Sequence, residues 1–236
     1  MNKIYRFLDE RLDLESFANF WLRKLLPPST NWLFTLGGAA LFLFVVQIIT
    51  GIFLALYYAP TPDGAHASVT YIQEKVLFGK IIRGIHNWAA SFLMIIVPLH
   101  LLRVFFWAAY KKPRELTWIF GVFLLLLTAA FAFTGYLLPW DQLAMWAITV
   151  GTNMARATPF MGYEGPGASM IQIGGVKLVH GGSDIHFALL GGHFVGEATL
   201  LRFYVLHCVF IPIVAATLMA IHFWRVRKDG GISGPL

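Results

Sequence analysis

The stretch 83-RGIHNWAASFLMIIVPLHLLR-103 is long and apolar enough to cross a lipid bilayer, yet it carries two histidines, His86 and His100. Roughly 20 helical residues cross a hydrocarbon core of about 30 Å. An ionisable side chain at membrane depth is costly, so an imidazole inside such a span indicates a functional site. A second apolar stretch near the C-terminus repeats the arrangement with His207 and His222.

The composition of the whole chain is that of a membrane protein. Of its 236 residues, 58% are hydrophobic and only 13% are charged, and its mean hydropathy is +0.67. A soluble domain carries about twice that share of charge. Four apolar runs are long enough to cross a bilayer, near 33–57, 83–107, 116–138 and 200–224. The sequence therefore predicts an all-α, four-helix transmembrane bundle.

Three segments lie outside these spans. Residues 1–30 alternate apolar and charged positions and predict an amphipathic helix on the membrane surface, strongest over 5–26. Residues 61–82 predict a polar outer loop. Residues 139–199 form the long outer loop. Its stretch WDQLAMWAITVGTNMARA predicts a short surface helix, and the glycine-rich remainder predicts a structured loop with one more short helix. We interpret 1–236 as a single membrane domain.

The positive charge follows the predicted topology. The net charge is +6, and twelve of the eighteen lysines and arginines lie before span one, between spans two and three, or after span four. Basic residues favour the cytoplasmic side, so both termini are predicted there. This distribution argues against nucleic-acid binding. The single cysteine, Cys208, excludes an internal disulfide.

The spacing of the histidines predicts two pairs. An α-helix turns by about 100° and rises by about 1.5 Å per residue. Residues fourteen or fifteen positions apart therefore lie within about 40° or 60° of the same helix face, and about 21–23 Å apart along the axis. Spans two and four run in the same direction, so His86 should face His207 near the outer surface and His100 should face His222 near the inner one. Each pair suits a haem iron with two axial imidazoles. Any one of these histidines alone is equally compatible with a hydrogen-bonded core residue.

Glycines on the other two spans repeat the fourteen-residue interval: Gly37 and Gly51 on span one, Gly121 and Gly135 on span three. A macrocycle between helices needs neighbours without side chains, which glycine allows. Ordinary small-residue helix packing is the alternative interpretation.

Arginines flank span two at both membrane edges, as Arg83 and Arg103. They suit the carboxylates of haem propionates, although snorkelling and topology explain them equally well.

Six sequence blocks carry a resemblance to a known family: VPLHLLR, KKPRELTW, TGYLLPWDQ, LRFYVLH, HFWRVRKDGGISGPL and ASVTYIQEKVLFGKIIRGIHNW. In this order they resemble the cytochrome b family in its shorter form, cytochrome b6 of cytochrome b6f-type complexes. The resemblance covers almost the whole chain.

This resemblance implies a role for each histidine. His86 and His207 would ligate an outer, low-potential haem b, and His100 and His222 an inner, high-potential haem b. Arg83, Arg103 and Arg227 match basic residues near propionates or an inner quinone site.

The resemblance also implies a function and partners. Such complexes send one quinol electron to a Rieske iron–sulfur protein and the other through both haems to quinone in a proton-translocating Q cycle. The expected partners are the Rieske protein, a cytochrome c-type acceptor and a subunit IV-like polypeptide with the PEWY-type motif, which this sequence lacks. We also expect a homodimer of the complex.

Two departures from the family qualify these expectations. Thr35 stands where plastid and cyanobacterial relatives carry a cysteine that tethers an extra haem, so we expect two noncovalent b haems and no covalent haem c. Thr35 also favours a bacterial cytoplasmic membrane over a thylakoid. The outer loop over 160–199 is longer than expected for the family.

Two other functions remain alternatives. A dihaem cytochrome b that anchors a dehydrogenase or hydrogenase would not need the amphipathic PWDQ segment. A transporter with a histidine proton relay would bind no haem.

Overall fold

The computed structural model describes residues 3–22, with side chains to residue 19, and residues 30–231. Within these ranges the chain is mostly helical. In chain order the α-helices are α1 (Lys3–Leu12), α2 (Leu14–Leu22), α3 (Leu36–Ala55), α4 (Pro62–Glu74), α5 (Gly79–Phe106), α6 (Glu115–Leu137), α7 (Gln142–Ala155), α8 (Ile185–Leu190), α9 (Glu197–Val205) and α10 (Ile211–Lys228).

Four of the described helical segments are long and apolar enough to cross a membrane: Trp32–Ala55, α5, α6 and Glu197–Lys228. The first joins a 3-10 turn to α3, and the last joins α9 to α10 through a π turn. A lipid-exposed chain must satisfy its backbone hydrogen bonds internally, which a helix does. The predicted four-span architecture is confirmed.

The N-terminal segment departs from the prediction of one helix. Asp13 adopts a left-handed conformation with φ of +49°, which ends α1 and starts a new helix. The carboxylate of Asp9 accepts a hydrogen bond of 2.6 Å from the backbone N–H of Glu15 and so ties the two helices together. Aspartate tolerates this backbone region better than most residues. The predicted continuation over residues 23–29 lies outside the described residues.

The 61–82 segment contains α4, so the prediction of a simple polar loop was incomplete. The hydroxyl of Thr61 caps the helix by accepting from the N–H of Gly64, and Pro62 occupies its first turn. Both are ordinary N-terminal helix signals.

The long outer loop contains the predicted surface helix as α7. Its first turn is capped by Asp141, whose carboxylate accepts from the N–H of Ala144 at 2.8 Å. The glycine-rich remainder holds α8 and also a two-stranded antiparallel hairpin that the sequence analysis did not predict. Its strands are β1 (Gln172–Ile173) and β2 (Val176–Lys177), joined by two glycines with positive φ.

A cluster of polar contacts fastens the end of α10 to the start of α6. Arg225 and Asp229 form a salt bridge of 2.9 Å with side chains only 14% and 6% exposed. The hydroxyl of Thr117 donates to the same carboxylate at 3.0 Å, and Arg225 also donates to the carbonyl of Pro113. These contacts hold the inner ends of spans three and four together.

We expect Asp229→Ala to lower the free energy of unfolding by about 3 kcal/mol, because it leaves a largely buried guanidinium unpaired. Glu10→Ala is the control, since Glu10 and Arg11 form an exposed pair, 64% and 56% accessible, whose loss costs about 0–1 kcal/mol. Denaturation of both variants in detergent measures the difference. Equal stability of the two variants would contradict this assignment.

Candidate cofactor site

The structure brings the four span histidines together as two pairs. The ring centres of His86 and His207 lie 6.3 Å apart, with ring planes inclined by 75°. His100 and His222 line one cavity of about 630 Å³. Each pair joins corresponding ends of α5 and the fourth span, so these spans run in the same direction.

The separation of the outer pair matches ligation of one shared atom. Two imidazoles bonded to the same iron at about 2 Å per bond have ring centres roughly 6 Å apart. The observed 6.3 Å between His86 and His207 therefore suits two axial ligands on opposite sides of a haem plane.

A π turn sets the orientation of His207. The turn covers Leu206–Phe210, immediately before Pro212 in the first turn of α10. Proline has no N–H to donate back to the carbonyl of Cys208 in a regular helix. A π turn accommodates one extra residue, which is worth about 100° of helix rotation. The fifteen-residue spacing to His222 is thereby equivalent to fourteen, whereas the sequence analysis assumed a regular helix.

Each predicted glycine lies directly against one imidazole. A Cβ atom added at these positions would lie 2.6–3.4 Å from a histidine Cε1, which is closer than ordinary van der Waals contact. The pairs are Gly37 with His100, Gly51 with His86, Gly121 with His222, and Gly135 with His207. The glycines therefore let spans one and three approach the rings.

Threonine hydroxyls hold the outer imidazoles, a feature that the sequence analysis missed. Thr50 Oγ1 lies 2.8 Å from His86 Nδ1, and Thr134 Oγ1 lies 3.2 Å from His207 Nδ1. Each threonine directly precedes a glycine that contacts the same ring, so the signal was a Thr-Gly dipeptide on each span. With Nδ1 engaged in this way, Nε2 is the nitrogen left for a metal.

The donor set suits haem better than a bare ion. Across residues 3–22 and 30–231, no group of three or more His, Cys, Asp or Glu side chains is arranged to hold a metal ion. A protein-bound transition metal usually takes three or four protein ligands. Haem iron needs only its axial ligands from the protein, and an imidazole pair provides two.

The inner cavity is bordered by cationic side chains. Arg103 is 8% exposed and its guanidinium lies 3.7 Å from the ring centre of Phe34. Arg114, which the sequence analysis did not single out, lines the same cavity, as does Thr35. The predicted contacts Arg83 and Arg227 line neither of the two cavities described here.

A second cavity, of about 620 Å³, lies beside α7 in the outer loop. Arg156 donates to His186 at 3.4 Å, and His186 is buried. Burial, followed by the nearby guanidinium of Arg156, lowers the pKa of His186. The uncharged ring then accepts the hydrogen bond.

Another part of the α7 surface is apolar and exposed. Leu143, Val150 and Met154 are 73%, 57% and 72% accessible. Their spacing places them on one side of the helix. Such a stripe is typical of a surface that another element covers.

Comparison with known proteins agrees with this geometry. A family model described as Cytochrome b/b6/petB matches residues 22–165 and 168–230. The chain belongs to the cytochrome b family. A chain from a solved structure described as "Hyperthermophilic respiratory Complex III" is 32% identical, with a TM-score of 0.82. The match covers 98% of this chain and 56% of that one.

Membership of the cytochrome b family implies b-type haem binding, which is the chemistry that the imidazole pairs suit. The family match includes all four span histidines and all four glycines. This cytochrome b sequence spans about half the length of the respiratory relative that it matches.

We expect Gly135→Ala to lower the occupancy of the outer haem, because the new Cβ would lie 2.6 Å from Cε1 of His207. Gly84→Ala is the matched control, since nothing lies within 4 Å of a Cβ at that position and Gly84 lines neither cavity. Haem per chain, measured by absorbance of the purified protein, should fall for the first variant only. Full haem occupancy in both variants would contradict the proposal that glycine is needed beside the ring.

Single-residue deletions test the π turn. Deleting Val209 should convert the turn to regular helix and keep both haems, because the fourteen-residue spacing remains in register. Deleting Phe92 from α5 should rotate His100 away by about 100° and remove a haem. The two side chains are similarly exposed, at 49% and 51%. Equal haem loss from both deletions would rule out the compensating role.

Proposed function

We propose that this chain is the dihaem cytochrome b subunit of a Rieske/cytochrome b complex that oxidises quinol. The observation that carries the proposal is the pair of imidazole sites at corresponding ends of two parallel spans. Four long apolar helices and the likeness to a respiratory complex III chain support it.

The chain's own residues would hold two noncovalent b haems. His86 and His207 would ligate the outer iron, and His100 and His222 the inner one. A haem iron with two axial imidazoles supplies reversible one-electron transfer. At about 1.5 Å per residue, the sites on α5 are roughly 21 Å apart along the helix, which covers most of a bilayer core. Electrons would pass from the outer site to the inner one.

The inner cavity would receive the propionates of the inner haem and also a quinone. Arg103 and Arg114 border it, and guanidinium groups bind carboxylates by charge-assisted hydrogen bonds. Arg83 and Arg227 stay proposed contacts at the membrane edges. Thr35 lines this cavity with its hydroxyl donated to the carbonyl of Trp32, and threonine forms no thioether. We therefore propose that no haem c is attached there.

The exposed apolar stripe of α7 would form one wall of the quinol-oxidation pocket. We propose that a subunit IV-like polypeptide with a PEWY-type motif covers it. A Rieske protein would take one electron from quinol and pass it to a cytochrome c-type acceptor. Two copies would associate in a bacterial cytoplasmic membrane, with both termini on the cytoplasmic side.

His222→Ala in the assembled complex tests this function. We expect the variant to lose the inner haem and keep the outer one, which quinol still reduces, while steady-state reduction of cytochrome c by quinol falls close to background. Haem content and turnover are measured on the same preparation.

His180→Ala is the control for this test, because His180 is an outer-loop histidine bonded only locally to its own loop. It should retain both haems and full turnover. An unchanged haem content in His222→Ala, or loss of haem in both variants, would contradict the proposed ligation.

A further inference from the structure

The outer and inner imidazoles differ in the side chains that lie next to them. Each outer ring faces a threonine hydroxyl, at 2.8 Å for His86 and 3.2 Å for His207. At the equivalent inner positions, one residue before the contacting glycine, the chain carries Leu36 and Phe120. These side chains have no hydrogen-bonding group.

Each hydroxyl also contacts carbonyls of its own helix, which favours donation to a carbonyl and acceptance from the ring. Thr50 donates its single proton to the carbonyl of Val46 at 2.6 Å, and Thr134 donates to the carbonyl of Ala130 at 2.7 Å. A hydroxyl has one proton and two lone pairs. The contact with each ring therefore runs from an Nδ1–H of the histidine to the threonine oxygen. This hydrogen bond favours the tautomer in which Nδ1 carries the proton and Nε2 is free.

The inner rings lack this contact. Among the described residues, the buried Nδ1 atoms of His100 and His222 have no hydrogen-bond partner. One backbone segment lies close to a ring at each site, Phe131 beside His207 and Thr117 beside His222, so this feature is common to both sites. The asymmetry is therefore in the threonine hydroxyls: both outer rings contact one and neither inner ring does.

We propose that Thr50 and Thr134 are positioning residues that lower the reduction potential of the outer haem relative to the inner one; this inference rests on the proposed function. A ligand histidine that donates its other N–H to an acceptor becomes more basic. A more basic axial ligand stabilises oxidised iron, and hydrogen bonding around the ligands is one means by which a protein sets a haem potential. The low dielectric of the bundle strengthens the effect.

The consequence is a direction for electron flow. Of two chemically identical haems with the same ligand set, the one with hydroxyl-bonded imidazoles gives up its electron more readily. That haem is the outer one. The sequence difference between Thr-Gly on the outer side and Leu-Gly or Phe-Gly on the inner side thus favours transfer from the outer to the inner site.

The test uses the assembled complex with Thr50→Val and Thr134→Val, which keep the side-chain shape and remove the hydroxyl. One lost hydrogen bond should shift the reduction equilibrium of the outer haem about tenfold toward the reduced form, which corresponds to 59 mV for one electron. Optical redox titration resolves the two haems. The inner haem should be unchanged, and Thr50→Ser should restore the original value.

Thr217→Val is the matched control, because the Thr217 hydroxyl donates to the carbonyl of Ile213 in its own helix in the same manner and its residue is exposed. An outer potential that stays unchanged in either assembled valine variant, or an equal shift in the control, would overturn the proposal. If instead the unmodified complex does not bind two b haems, the proposed function itself fails. The haem content of the unmodified complex therefore separates the two failures.

Discussion

The structure depends on the need to accommodate polar imidazoles among apolar spans. An unpaired polar group in hydrocarbon costs several kcal/mol. At the outer site, Thr50 and Thr134 contact one nitrogen of each ring, which leaves the other nitrogen for a metal. This requirement explains why spans one and three carry glycine against each ring: the bulk of a side chain would separate the helices and break the contacts.

The rest of the bundle keeps these rings in register. At the inner end, Asp229 joins Arg225 on span four to Thr117 on span three. At the outer end, the rings of Tyr58 and Tyr204 stack at 5.6 Å, and the Tyr58 hydroxyl donates to the carbonyl of Leu138 at 2.7 Å. Spans one, three and four are therefore fixed to one another beside the outer pair, so that the ligand geometry does not depend on a bound cofactor alone.

The sequence predicted the features that follow from periodicity. Apolar length located the four spans, and equal intervals singled out the histidines and glycines that the structure places in contact. It could not predict the threonine contacts, because a hydroxyl can bond either its own helix or a neighbour, and packing decides which. The sequence also did not predict the π turn, because proline alone does not signal one: Pro98 lies within α5 without such a turn, whereas Pro212 follows one. The break at Asp13 and the hairpin of β1 and β2 depend on local backbone choices that hydropathy does not encode.

The most direct test of the account is electron paramagnetic resonance of the oxidised, purified protein, combined with haem quantification. Two imidazole pairs at different depths and with different hydrogen bonding predict two distinct low-spin signals of bis-imidazole ligation, with two b haems per chain. A single signal, a high-spin iron, or one haem per chain would contradict the claim that these four histidines hold two haems.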